Sequence, residues 1–103
     1  MTLEAVSKML ESSGIPFAYR AWPEQEAPPM PFGCYMVSYS NNFAADGIVY
    51  YPVNHIQIEL YTQLKDPEAE DKVEKALSSL IWEKTETYID SEKCYQILYE
   101  IEV

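Results

Sequence analysis

APPMPFGCYMVSYSNNFAADGIVYYPVNHIQIELYT, residues 27–62, is the stretch that decides the fold. A proline-rich lead-in passes into two runs of β-branched and aromatic residues, 32–40 and 48–62, joined by Asn41, Asn42, Phe43, Ala44, Ala45, Asp46 and Gly47. A connection containing Asn-Asn and Asp-Gly predicts an antiparallel hairpin with a protruding tip. Phe43 falls at that tip, where it either meets a partner or folds back onto the sheet. Pro52 should interrupt the second run as an edge or a bulge. Beyond it Ile56, Ile58 and Leu60 alternate with Gln57, Glu59 and Tyr61, which predicts one buried face and one wet or partner-covered face.

Upstream, residues 23–31 hold Pro23, Pro28, Pro29 and Pro31 with Glu24 and Glu26 among them. Such a stretch cannot donate a regular hydrogen-bond ladder, so an extended, semi-rigid arm is expected. It either carries the chain across the sheet or reaches a neighbouring subunit, since a stiff segment loses little entropy on docking. Further toward the start, Thr2 can cap a helix over 3–13, with Glu4 in the first turn and Leu3, Val6, Met9 and Leu10 as its apolar stripe. Gly14 and Pro16 stop it. Phe17, Tyr19 and Ala21 then alternate with Ala18, Arg20 and Trp22 as a short strand ending at Pro23.

Downstream, Asp66-Pro67-Glu68 is a helix start with a capping carboxylate and a proline in the first turn. Ala69, Val73, Ala76, Leu77, Leu80 and Ile81 form its apolar stripe, and Glu70, Asp71, Lys72, Glu74 and Lys75 are expected on a solvated face. Two last strands are expected over 84–89 and 95–103, around a turn at Asp90, Ser91, Glu92 and Lys93. In the last, Tyr95, Ile97, Tyr99, Ile101 and Val103 should line one side and Gln96, Glu100 and Glu102 the other. The sum is a single α+β domain over 1–103 in the order α-β-β-β-α-β-β. Its expected architecture is a mostly antiparallel five-stranded sheet with two helices packed on one face.

Composition narrows the function classes. The 103 residues suffice for one core, and 48% hydrophobic content is that of a globular chain. Nine Tyr, three Phe and two Trp suit half-exposed sheet faces and interfaces as well as strands in general. Seventeen acidic against seven basic residues leave a charge of −10, a field that repels phosphate and anionic lipid. No direct sequence-specific nucleic-acid binding and no membrane role are expected. With no leader-like opening and no long apolar run, the expected compartment is the cytosol or an assembly built there. Cys34 and Cys94 form no ligand pair and are expected as free buried thiols.

Reactive chemistry is sparse. His55 is the lone histidine and offers one base or one ligand at most. Cys34 on the neighbouring strand leaves a Cys–His contact open. Gly14, Gly33 and Gly47 stand singly, so no phosphate cradle exists, and the carboxylates run in surface-type clusters. No catalytic, cofactor-binding or metal residues are assigned, and no cofactor is expected.

Taken together, the opening helix ending in Gly14, IPFAYRAWPEQEAPPMPF, SNNFAADGIVYYPVNHIQIELYT, the Asp66-Pro67 helix and the ending EKTETYIDSEKCYQILYEIEV resemble small tail proteins of long-tailed phages and prophages of Gram-positive bacteria. The group is that of tail-terminator or tail-completion proteins, also called head-tail joining or minor capsid proteins. The similarity runs over essentially the whole chain and not over one motif. It implies a ring, typically a hexamer, at the head-proximal end of the tail tube. The implied partners are further copies of the chain, the tail tube protein and the head-neck connector proteins. The implied location is the host cytoplasm during assembly and then the tail and neck of the virion. Within such a ring the acidic surplus could line the channel and repel passing DNA, or serve solubility alone.

Trp22, Pro28, Pro29, Phe43, Tyr50 and Tyr51, bulky or rigid groups in or beside the two candidate loops, are the candidate interface residues. Two other functions compete with the ring. A small non-catalytic adaptor or regulatory domain would form one-to-one complexes with a host or phage protein, and a small hydrolase would depend on His55.

Overall fold

The computed structural model describes residues 1–40, 43–45, 48–51 and 53–103, with segments 43–45 and 48–51 described by their backbone alone. The order is α1 (Leu3–Glu11), β1 (Phe17–Tyr19), β2 (Phe32–Ser40), β3 (Phe43–Ala45), β4 (Ile48–Tyr51), β5 (Asn54–Thr62), α2 (Pro67–Ala76), β6 (Glu83–Ile89) and β7 (Cys94–Glu102). Both helices start as their sequences dictate. The Thr2 hydroxyl accepts from the Ala5 N–H at 3.1 Å, and the Asp66 carboxylate accepts from the Ala69 N–H at 3.0 Å. Helix α1 stops two residues early, at Ser12, and Gly14 then takes φ +78°, the left-handed turn that lacks a Cβ penalty.

Five strands form the main sheet in the order β1-β2-β5-β7-β6. β1 runs parallel to β2, whereas β2–β5, β5–β7 and β7–β6 are antiparallel. The sheet is therefore mixed, which corrects the mostly antiparallel expectation. The proline arm explains it: parallel neighbours need a crossover of about a dozen residues. The segment between Tyr19 and Phe32 supplies that return, and Arg20, at φ +66°, ends β1 before the expected alternation is complete.

The element order also differs from the one expected. The run 48–62 is divided into β4 and β5, with Val53 outside both, and the connection after Ser40 carries the short strand β3. β3 and β4 pair with each other as a separate two-stranded ribbon, Phe43 opposite Tyr51 and Ala45 opposite Ile48. The ribbon follows the end of the β2–β5 pair, where Ser40 stands opposite Asn54. Pro52 and the Asn41-Asn42 and Asp46-Gly47 dipeptides lie outside the described residues.

Both helices cover one face of the main sheet. Val6 and Leu10 of α1 and Ala69, Val73 and Leu77 at α2 meet Ile56, Ile58, Leu60, Ile97, Tyr99 and Ile101 in one core. Register makes this possible: Ile56 faces Ile101, Ile58 faces Tyr99 and Leu60 faces Ile97, so three cross-strand pairs stack on the helix side. The apolar stripe of α2 ends sooner than its spacing predicts. The chain turns at Leu77, Leu80 is half-buried, and Ile81 is 92% exposed.

Glu70 departs most from expectation. Predicted on a solvated face, it is only 4% exposed. Lys65 bridges it to Glu86, and Lys84 bridges it at 3.2 Å to Glu74 at 2.9 Å. Burial alone pushes the Glu70 carboxyl up, but the hydrogen bonds from Lys65 and Lys84 outweigh it and hold it below the usual range. The Tyr99 hydroxyl donates to Glu74 at 2.8 Å, completing a polar seam between α2 and β6. Each lysine comes from outside the helix, so the local charge pattern of α2 could not reveal the pairing.

Candidate interaction surfaces

Among the described residues, no helix lies over the opposite face of the main sheet. Its residues are those that alternate with the core: Phe32, Cys34 and Met36 on β2, then Gln57, Glu59 and Tyr61 on β5, with Gln96, Leu98 and Glu100 on β7. The register arranges them as rows across the sheet, Phe32–Tyr61–Gln96, Cys34–Glu59–Leu98 and Met36–Gln57–Glu100. Most are half-buried, and the composition changes along the strands from aromatic to acidic.

At the aromatic end, Trp22 packs edge-on to Phe32 at 6.4 Å between ring centres, and Phe32 lies 5.5 Å from Tyr61. The Trp22 indole N–H donates to the Gly33 carbonyl at 3.0 Å, which fastens the start of the arm to β2. Tyr61 donates to Glu59 and accepts from the Gln96 amide at 3.1 Å. Burial, followed by the bond to Glu59, raises the Tyr61 phenol well above its usual value, so it remains a neutral donor. Burial and the nearby Glu59 charge also raise the Cys34 thiol, and burial and Glu92 raise that of Cys94. Both cysteines are buried and free, as expected, and neither environment favours a reactive thiolate.

At the acidic end His55 stacks flat on Tyr39, with ring centres 4.5 Å apart and planes 7° from parallel. Its Nε2 lies 3.1 Å from Glu100 Oε1 and its Nδ1 3.7 Å from Glu102 Oε1. The imidazole is 12% exposed, and among the described residues Nδ1 finds no hydrogen-bond partner. His55 stands four residues along β5 from the Cys34 partner Glu59, about 13 Å at strand rise. The Cys–His contact left open by sequence is not formed. Instead His55, Glu83, Glu100 and Glu102 border a 490 Å³ cleft whose other wall is made by Leu80 and Ile81. Among the described residues no group of three or more His, Cys, Asp or Glu could hold a metal ion.

The six candidate interface residues do not converge on one site. Trp22 is half-buried on the open face, Pro28 is half-buried and Pro29 exposed on the arm, and Phe43, Tyr50 and Tyr51 belong to the β3–β4 ribbon, where only the backbone is described. Sequence reasoning did not single out Phe32, Tyr61, Glu100 and Glu102. The alternation of β5 and β7 had marked the side on which Tyr61, Glu100 and Glu102 lie, and the missing information was which strands are neighbours. Among the described residues no helix is long and apolar enough to cross a membrane. No protein-family model matches the chain, and no curated protein matches it.

Proposed function

We propose that the chain is a structural subunit of the head-tail neck of a long-tailed phage or prophage, a tail terminator or tail-completion protein that forms a ring on the head-proximal end of the tail tube. The observation that supports this best is the helix-free sheet face, aromatic at one end and acidic at the other, on a domain whose core is already complete without it. Trp22, Phe32 and Tyr61, grouped at one end of a half-buried face, are of the residue types that protein interfaces favour. The β3–β4 ribbon, which among the described residues forms a two-stranded sheet of its own, adds a second contact element at one end of the domain. The resemblance of the sequence to tail-completion proteins is the ground for reading the assembly as a phage neck.

In this role the protein works by shape and breaks no bonds. It takes no cofactor, and its partners are other copies of itself, the tail tube protein and the head-neck connectors. It assembles in the host cytoplasm and remains in the virion neck.

Deletion of residues 42–46 tests the ribbon. Because β3 and β4 form a sheet apart from the five-stranded one, the variant should fold and yet fail to join tails to heads in an assembly extract. Normal joining by that variant removes the ribbon from the account. One-to-one complexes with a single host or phage protein, and no ring on tail tubes, favour an adaptor instead.

A further inference from the structure

We infer that the cleft beside His55 receives the Arg20 guanidinium of a second copy of this chain, so that the β1 edge of one subunit docks on the β6–β7 edge of the next. The inference rests on the assembly role proposed above and names the contact through which copies join.

The cleft has the chemistry of a guanidinium socket. Glu83, Glu100 and Glu102 give it three carboxylates; His55 lies 3.1 Å from Glu100 and 3.7 Å from Glu102, and among the described residues no Lys or Arg pairs with any of the three. Leu80 and Ile81 give it an apolar wall, and Ile81 is almost wholly exposed. A planar, weakly hydrated cation that can fork across two carboxylates fits this mixture better than an ammonium does.

The same chain carries the matching group. Lys8, Lys65, Lys72, Lys75 and Lys84 each have a carboxylate partner, which leaves Arg20 and Lys93 as the cations with none among the described residues. Lys93 belongs to the β6–β7 turn, the hairpin that carries the cleft itself. Arg20 lies at the other edge of the sheet, directly after β1. Its backbone is held at φ +66° while its N–H donates to the Tyr35 carbonyl at 2.7 Å. That conformation, shared with Gln25 and Lys93, is one that Gly or Asn adopts more readily, and among the described residues the exposed Arg20 side chain has no partner in its own subunit.

Opposite edges also give the geometry that repetition requires. A contact between unlike patches is heterologous, so each copy keeps one free socket and one free arginine until the chain of copies closes. In a protein of net charge −10, like-charge repulsion opposes any random approach of two copies. One correctly placed cation against three carboxylates therefore selects a single orientation.

The experiment uses full-length R20E and E83R, both at exposed positions whose side chains make no described contact, each checked for folding by circular dichroism. Self-association is read by sedimentation velocity and by concentration-dependent amide and imidazole resonances. Wild type should associate, with shifts concentrated at His55 and Arg20. Each variant alone should lose roughly tenfold or more in affinity, and an equimolar mixture should recover it, because the new glutamate meets the new arginine. Wild type that stays monomeric to about 1 mM overturns the inference, as does R20E that associates like wild type, or a mixture that does not recover. Rings on tail tubes that tolerate R20E sink this contact and leave the assembly role standing. Association through Arg20 without any ring on tubes does the reverse.

Discussion

The two faces of the main sheet are built from alternate residues of the same strands and behave as different materials. Under the helices, Ile56, Ile58, Leu60, Ile97, Tyr99 and Ile101 are essentially sealed from water. On the other side Gln57, Glu59, Tyr61, Gln96, Leu98 and Glu100 remain half-exposed, tied to one another by hydrogen bonds such as Gln96 to Tyr61. A strand such as β5 thus stabilises the fold with one set of side chains and leaves the next half-exposed. The physical difference is that the first face has already gained its burial energy in the monomer, whereas the second gains it only when something covers it.

Substitutions at paired positions put this contrast at risk. Ile58→Ala, in the middle of the sealed face, should cost about 2–5 kcal/mol in urea unfolding, through lost burial and the cavity left behind. Leu98→Ala, on the open face of the adjoining strand, should cost under about 1.5 kcal/mol, and a comparable loss at both sites would show that the open face is a second core.

Gly33 is tightly packed between its neighbouring strands β1 and β5. A Cβ there meets the Phe17 ring and comes within 2.7 Å of the Glu59 carbonyl oxygen, so Gly33→Ala should destabilise by about 1–3 kcal/mol. An unchanged thermal midpoint would mean that β1 is not seated where it pairs with β2.

The polar seam on the helix side sharpens the comparison through pH. Glu70 has a carboxyl held below its ordinary value of 4.5, so its contribution is present above that value and is lost as pH falls through the lowered one. Stability should therefore decline on acidification below about pH 4.5. Glu70→Gln should flatten that decline while lowering stability near neutrality by about 1–3 kcal/mol, because Lys65 and Lys84 lose a shared buried acceptor. An acid limb identical in wild type and variant would assign the titration to other carboxylates.

The smallest effect belongs to Arg20→Gly. Relief of the left-handed backbone should leave stability unchanged or raised by up to about 1 kcal/mol, set against the greater chain entropy of glycine. A clear loss of stability would mean that the Arg20 side chain supports its own fold and is not held for a neighbour.

Much of the monomer could be read from local chemistry. Thr2, Asp66 and Pro67 announce the helices, β2 has the bounds its residues suggest, and the Ile56-Ile58-Leu60 and Ile97-Tyr99-Ile101 alternations name the core. What escaped depends on non-local partners. The parallel docking of β1 needs the arm to return the chain, Glu70 is buried because lysines arrive from residues 65 and 84, and the cleft exists because β5 and β7 bring His55 beside Glu100 and Glu102. Periodicity assigns a residue to a face of its own strand. It does not say which strand lies alongside.

The central claim is that this chain acts by presenting its open surfaces to copies of itself. Negative-stain electron microscopy of the purified protein mixed with tail tubes tests it most directly. The account predicts an annular cap on one end of each tube and an end to further tube growth. Bare tube ends, with the protein remaining monomeric or bound one-to-one to another protein, would contradict it.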